Sequence, residues 1–246
     1  IFVDSGLTLD NPVTITAITA ANPVVVTAAS HGFVNGDLVD IKDVVGMTEV
    51  NGNRYKVADK TTNTFELTNQ TTGVDINGSA FTAYDSAGKV RKGVTTITGL
   101  SHLEGSSVQI VGNGAVFPAA TVTDGTVTTA TEVSEAYVGL GYTTPLKPSR
   151  PEFGSPQGIT QGKPKRWNHI FVRLVNTLGI TINGDQMPFR TSADLLNSPP
   201  ASFTGDKKVM NLGYDKDGFI EIKQEQPLDM HVVAIGGDIN TGEQFT

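Results

Sequence analysis

Short runs of alternating or β-branched residues dominate the chain, and none repeats at helical spacing. Residues 14–19 (TITAIT), 23–28 (PVVVTA), 37–44 (DLVDIKDV), 53–59 (NRYKVAD) and 64–69 (TFELTN) predict five or six short strands. Between them stand NGD, NGN and TTN turns, with Asn35-Gly36 and Asn51-Gly52 expected to supply the positive φ of tight connections. The pattern predicts a small barrel or roll, with GMTEVNG as a single helical turn over one open end.

From residue 94 the rhythm changes. SSVQIVGNGAVFP and TVTDGTVTT predict hairpins turning at Asn113-Gly114 and Asp124-Gly125, followed by a strand at EAYVGLGY. Residues 145–165 are rich in proline and glycine, so they predict an irregular connector or arm. HIFVRLVNTLGITING then predicts two strands, GDKKVMNLGYDKDGFIEIKQE a hairpin closed near Asp217-Gly218, and DMHVVAIGGDI a last strand. Alternation in IFVRLV and FIEIKQE implies one buried and one solvated face.

Composition narrows the options. The 246 residues include 27 glycines, 12 prolines and no cysteine, and 17% are charged. A Cys-free chain has no disulfide framework, no thiolate metal site and no thiol nucleophile, so packing and strand pairing must hold the fold. A net charge of −7 speaks against a surface that grips phosphate, although an acidic wall suits a duplex that slides past. A chain opening on Ile1 reads as a fragment or a processed form, and a missing signal peptide then carries no information.

Two resemblances organise these pieces. FVDSGLTLD, TTITGLSHLEGSSVQIVGNGAVFPAATVTDGTVT, AYVGLGYTTPLKP, QGKPKRWNHIFVRLVNTLGITING and PPASFTGDKKVMNLGYDKDGFIEIKQEQPLDMHVVAI are, in that order, similar to the C-terminal region of tail nozzle or tail tubular proteins of tailed bacteriophages. This resemblance covers most of residues 1–10 and 95–236, and GLSHLEG joined to VQIVGNGAVFP is its most specific piece. The segment between resembles the small β-domain that phage sequences share with the FCCH domain of ubiquitin-activating enzymes. It does so through His31, Gly32, Phe33, Gly36, Asp37, Val39, Gly46, Met47, Asn51, Gly52, Tyr55, Val57, Asn63, Thr64, Phe65 and Leu67. Ubiquitin activation needs a nucleotide-binding domain and an acceptor cysteine, and the name therefore carries no such chemistry here.

The expected fold is all-β: a β-sandwich or barrel-like host domain (1–10 plus 94–246, with 145–165 as connector or arm) carrying an inserted FCCH-like small β-barrel at 11–93. Such a guest survives in an exposed loop if its ends lie close together.

Candidate chemistry is sparse. His31 and the His102/Glu104 pair invite acid–base readings but sit in turns, and His169 and His231 fall in strands. DKDG at 215–218 begins like a calcium loop, yet its twelfth position is Gln226 rather than a bidentate Glu, so a hairpin turn is expected. Lys163, Lys165, Arg166 and Trp167 mix charge with an aromatic ring and suggest phosphate or single-strand contact, subunit docking or plain solvation.

No catalytic, cofactor-binding or metal-ligating residue is assigned and no cofactor is expected; the chain reads as a non-enzyme. The nozzle resemblance implies a virion structural protein of the phage tail, with copies in a ring, a hexamer on that resemblance, around the channel for the genome. Implied partners are further copies, other tail, adaptor or fibre proteins, and duplex DNA in transit. The alternative is an adhesin-like module that binds the host cell surface through Tyr55, Phe65, Phe81 and Tyr84. A tail-associated envelope hydrolase is a third, weaker reading.

Overall fold

The computed structural model describes residues 2–152, 154–155, 158–159, 162–192, 199–210 and 213–241. The protein is all-β, its described helices being two 3-10 turns, Thr48–Val50 and Ser101–Leu103. No helix among the described residues is long and apolar enough to cross a membrane.

The chain divides into two compact units, Asp4–Leu140 and Gly141–Thr246, the latter with Ile1–Val3. The first is built from β1 (Phe2–Asp10), β2 (Pro12–Thr14), β3 (Ala17–Ile18), β4 (Val25–Thr27), β5 (Leu38–Val45), β6 (Arg54–Ala58), β7 (Thr64–Asn69), β8 (Ser86–Lys92), β9 (Val94–Ile97), β10 (Ser107–Gly112), β11 (Ala115–Thr121), β12 (Val127–Val133) and β13 (Glu135–Gly141). The second contains β14 (Thr144–Leu146), β15 (Gly154–Ser155), β16 (Gly158–Ile159), β17 (Lys165–Thr177), β18 (Ile180–Ile182), β19 (Asp185–Gln186), β20 (Phe203–Met210), β21 (Tyr214–Asp215), β22 (Ile222–Gln224) and β23 (Val232–Thr241).

Seven strands form one sheet in the order β2-β8-β5-β6-β7-β4-β3. Its two terminal strands are consecutive in the chain. Pro12–Thr14 pairs with β8, Ile15 N–H donates to the Gly88 carbonyl, Thr16 N–H donates to the Thr27 carbonyl, and Ala17–Ile18 pairs with β4. One segment thus changes partners between Ile15 and Thr16, and that change rolls the sheet shut. The expected single strand at 14–19 is split for this reason.

Val26, Val39, Ile41, Phe65, Leu67 and Val90 are fully buried in the barrel, and Met47 and Val50, which flank and end the first 3-10 turn, are buried with them. That turn therefore plugs the core, as the sequence pattern leads one to expect. β8 has no counterpart in the predicted strands. SAGKVRK looks solvated, but it lies between β2 and β5 and contributes Val90 to the core.

The positive φ of the two Asn-Gly turns falls on Gly36 and Gly52, and not on Asn51 at −69°. Asn51 serves differently: its side chain accepts from Val44 N–H at 2.9 Å and donates to the Val44 carbonyl at 2.8 Å. At Gly46, with φ +88°, a Cβ would lie 2.3 Å from the Ala83 carbonyl oxygen, so the backbone there has no room for a side chain.

The rest of the first unit is the sheet β1-β13-β10-β11 and the pair β12-β9 around a second core of Ile97, Leu103, Val108, Ile110, Val127 and Val138. The hairpin at Asn113-Gly114 joins β10 to β11 as expected. Asp124-Gly125 also forms a tight turn, but the strands around it diverge, because β12 pairs with β9.

In the second unit the sheet β14-β22-β18-β19 and the sheet of β20, β17, β21 and β23 share a third core, with Ile170, Val172 and Leu174 of β17 buried alongside Ile180, Ile182 and Ile222. The expected hairpin over Asp217-Gly218 is not one, since β20 pairs with β17 whereas β22 pairs with β14 and β18. The connector at 145–165 contains the short pair β15–β16; residues 153, 156–157 and 160–161 lie outside the described set, as do 211–212 in the expected hairpin.

Residues 11–93 thus have their own sheet and core, while the expected host, 1–10 plus 94–246, is spread over two compact units that divide after Leu140. Phe65→Ala is expected to lower the stability of the first unit by about 3–5 kcal/mol, the cost of truncating a fully buried aromatic ring. Denaturant melts of the full chain check this; a change under about 1 kcal/mol would mean that the ring is not a core residue.

Candidate functional site

On β5 the inward positions are Val39 and Ile41, so Asp40 and Lys42 point out of the barrel. Asp40 stands opposite Arg54 of β6 on one side and Arg91 of β8 on the other. Outside the barrel, Asp10 ends β1, Asn113 turns the β10–β11 hairpin, and Glu132, Ser134 and Glu135 lie where β12 passes into β13.

These residues meet in one ionic joint within the first unit. Arg54 grips Asp40 with both arms of its fork, Nε to Oδ1 at 2.8 Å and Nη2 to Oδ2 at 2.6 Å, and its Nη1 donates to the Glu132 carbonyl at 3.0 Å. Arg91 Nε lies 2.6 Å from Asp10 Oδ1 and 3.1 Å from Glu135 Oε1, and Lys42 Nζ lies 2.6 Å from Glu135 Oε2. Asn113 Oδ1 accepts from Ser134 N–H, Ser134 Oγ–H and Glu135 N–H, each at 3.1 Å, and Asn113 Nδ2 reaches Asp40 Oδ2 at 3.4 Å.

Burial is the largest single influence on Asp40 and opposes its ionisation. Hydrogen bonds from Arg54 and Ser134, with the charges of Arg54 and Lys42, together outweigh it and hold the carboxyl below its ordinary 3.8. The Arg54 guanidinium is correspondingly raised, first by its hydrogen bond to Asp40. Two side-chain polar atoms of the residues gathered here stay buried without a hydrogen-bond partner, Arg91 Nη1 and Glu132 Oε2. The joint ties β5, β6 and β8 of the barrel to the end of β1 and to the β12–β13 passage. The sequence signal for it is slight: Asn113 reads as a turn residue, Asp40 and Arg54 lie in predicted strands, and Arg91 falls outside every predicted strand.

The residues with chemical potential are occupied structurally. His31 is buried against Phe33 and Phe65; its Nδ1 accepts from Phe33 N–H at 3.0 Å, which leaves Nε2–H to donate to the Thr64 carbonyl at 3.3 Å. Glu104 uses both carboxylate oxygens on the backbone N–H groups of Asp124 and Gly125, at 3.0 and 2.7 Å, while His102 is exposed at the end of its 3-10 turn. His169 contacts Asp238 across the β17–β23 pair at 3.0 Å, and His231 precedes β23 with its backbone N–H on Thr177 Oγ1. Asp215 Oδ2 accepts from Asp217 and Gly218 N–H, an Asx turn that spends the carboxylate on its own backbone.

The basic-aromatic run also folds inward. Lys165 is fully buried with Nζ 2.8 Å from Glu152, Trp167 donates its indole N–H to the Gly218 carbonyl at 2.8 Å, and Arg166 lies 5.3 Å from the centre of the Tyr214 ring; Lys163 is half-buried. Of the proposed host-surface aromatics, Tyr55 and Phe65 are core residues, and Phe81 and Tyr84 pack against that core. No group of three or more His, Asp or Glu that could hold a metal occurs among the described residues.

The family model for the Ubiquitin-activating enzyme E1 FCCH domain matches residues 21–93, so the small barrel is FCCH-like. No curated protein matches the chain. The match begins after the 12–18 segment that closes the barrel, which the structure adds to the module. Residues that carry the likeness have architectural tasks: Asn51 brackets Val44, Asn63 Oδ1 accepts from Ser30 N–H, Asp37 Oδ2 accepts from Val34 N–H, and Met47 and Phe65 fill the core.

Arg54→Met is expected to cost roughly 3 kcal/mol, because it strands a half-buried carboxylate, whereas Arg54→Met with Asp40→Leu should cost less. Because the folded-state pKa of Asp40 is lowered, its contribution is fully present above 3.8 and fades as pH falls through the lowered value. The stability gap between wild type and Asp40→Asn should therefore be flat from neutral pH down to about pH 4 and shrink below it. Urea melts across that range check both statements.

Proposed function

We propose that this chain is a structural subunit of a bacteriophage tail, whose copies form a ring around the channel for the genome and which does no chemistry of its own. The observation that carries the reading is the use made of its polar groups. His31, Glu104, Asp215, Lys165 and the joint of Asp40, Arg54, Arg91 and Glu135 all hold backbone or one another in place. A site for catalysis keeps a reactive group aimed at a space that a substrate fills. A load-carrying subunit spends such groups on its own rigidity.

Charge agrees with this role. Residues 1–140 hold fourteen acidic and seven basic residues, and residues 141–246 hold eleven of each, so the whole net charge of −7 falls in the first part. Duplex DNA is repelled by such a surface and passes without being retained. The nozzle-like pieces supply the tail setting, and the FCCH-like barrel, clamped by the joint, is an appendage of fixed orientation on that subunit.

Two measurements test the proposal. Images of the particle that contains this chain should show it as a closed ring, six copies on the nozzle resemblance, and a monomeric tip or trimeric spike at that position would overturn the reading. Purified chain should bind duplex DNA no tighter than about 10⁻⁶ M at physiological salt, the range of nonspecific contact. Tight, sequence-selective binding in a filter or anisotropy assay would contradict a passive channel.

A further inference from the structure

The sheet built on β17 ends in two edges of unlike character. β20 carries Asp206, Lys207 and Lys208 in mid-strand, the kind of charge that blunts an edge against unwanted pairing. β23 runs ten residues, about 34 Å, with Asp238 as its single charge and an uncharged opening run of Val232, Val233, Ala234, Ile235, Gly236 and Gly237. Among the described residues both strands pair with β17 alone. Val233 is 62% exposed, and a Cβ on Gly236 would meet nothing within 4 Å. Glycine within a strand suits the close approach of another backbone.

We propose that β23 receives the β20 edge of a second copy of this chain, so that one sheet continues from subunit to subunit. The inference rests on the ring reading above and names the contact that closes the ring. Both edge strands run antiparallel to β17 and hence parallel to each other. Copies set side by side around an axis along the strands keep that relation, and the new pair is parallel.

The charges agree with this pairing. Asp238 stands opposite His169 and Lys208 opposite Phe171, two positions on the same face of β17, so carboxylate and ammonium share one face at opposite edges. Asp238 touches His169 yet remains 71% exposed, and the Lys208 Nζ lies 5.5 Å from the centre of the Phe171 ring. A head-to-tail contact of this kind generates a ring when its rotation closes.

The absence of cysteine gives a direct test. In one subunit residues 210 and 238 both stand opposite His169, about 9.6 Å apart across two strand spacings, which exceeds the ~7 Å reach of a disulfide. The full chain carrying Met210→Cys and Asp238→Cys, which the rotation brings level on neighbouring strands about 4.8 Å apart, should therefore give, on oxidation, an intermolecular ladder on non-reducing gels, and neither single variant should. Gly236→Lys, placed in open space, should abolish the oligomer in sedimentation velocity while leaving the far-UV circular dichroism unchanged. Oligomers that form without cross-linking, or that persist in Gly236→Lys, would overturn this contact and leave the ring reading standing. A covalent dimer from Asp238→Cys alone would replace it with two-fold pairing of β23. A wild-type chain that stays monomeric at every concentration would overturn both.

Discussion

Every strand in this protein must find partners for its backbone on two sides, and with no cysteine and almost no helix that requirement governs the architecture. The barrel meets it by closure. Residues 12–18 pair with β8 through their first half and with β4 through their second, so both outer edges of a seven-stranded sheet are used up by one bent segment. The neighbouring sheet ends at β11, where Pro118 lacks a donor and suits an edge. In the second unit β20 is guarded by charge, and β23 is left with the least protected edge.

The FCCH-like barrel is tied to its neighbours in the first unit by more than its two chain connections. Those connections are reinforced by Arg54, Arg91 and Lys42 reaching Glu132, Asp10 and Glu135, with Asn113 holding the backbone of Ser134 and Glu135 in register. Ion pairs of this kind contribute modestly to net stability, because desolvation offsets much of the attraction. Their geometric demand is stricter. A bidentate fork and a hydrogen-bonded Asn fix an orientation that apolar packing alone would leave free to slide.

The same economy governs the side chains outside the joint. An isolated carboxylate or imidazole beside a cavity would suggest chemistry, but here such groups accept backbone N–H donors: Glu104 under the Asp124-Gly125 turn, Asp215 in its Asx turn, His31 beneath Phe33. Each substitutes for a strand partner where the ladder ends. Polar chemistry and backbone satisfaction are one problem in a chain made of short strands and tight turns.

The sequence by itself determined the class of structure and most of the elements. Alternation and β-branching marked β5, β6, β7, β13 and β17, and turn chemistry marked Asn113-Gly114, since these depend on neighbours one to four residues away. It also marked the FCCH-like segment, whose turn and core residues are local in character. Only the tertiary structure decided pairing. Asp124-Gly125 and Asp217-Gly218 turn the chain in either case, but whether the flanking strands then meet depends on β9, β14 and β18, which lie far away in sequence. β8 stayed hidden because SAGKVRK buries Val90 on one side and sends Arg91 into an ionic contact on the other, and burial of a charge is set by its partner rather than by its neighbours. The joint was illegible for the same reason: Asp10, Asp40, Arg54, Arg91, Asn113 and Glu135 are ordinary solvated residues until the fold brings six separate segments together.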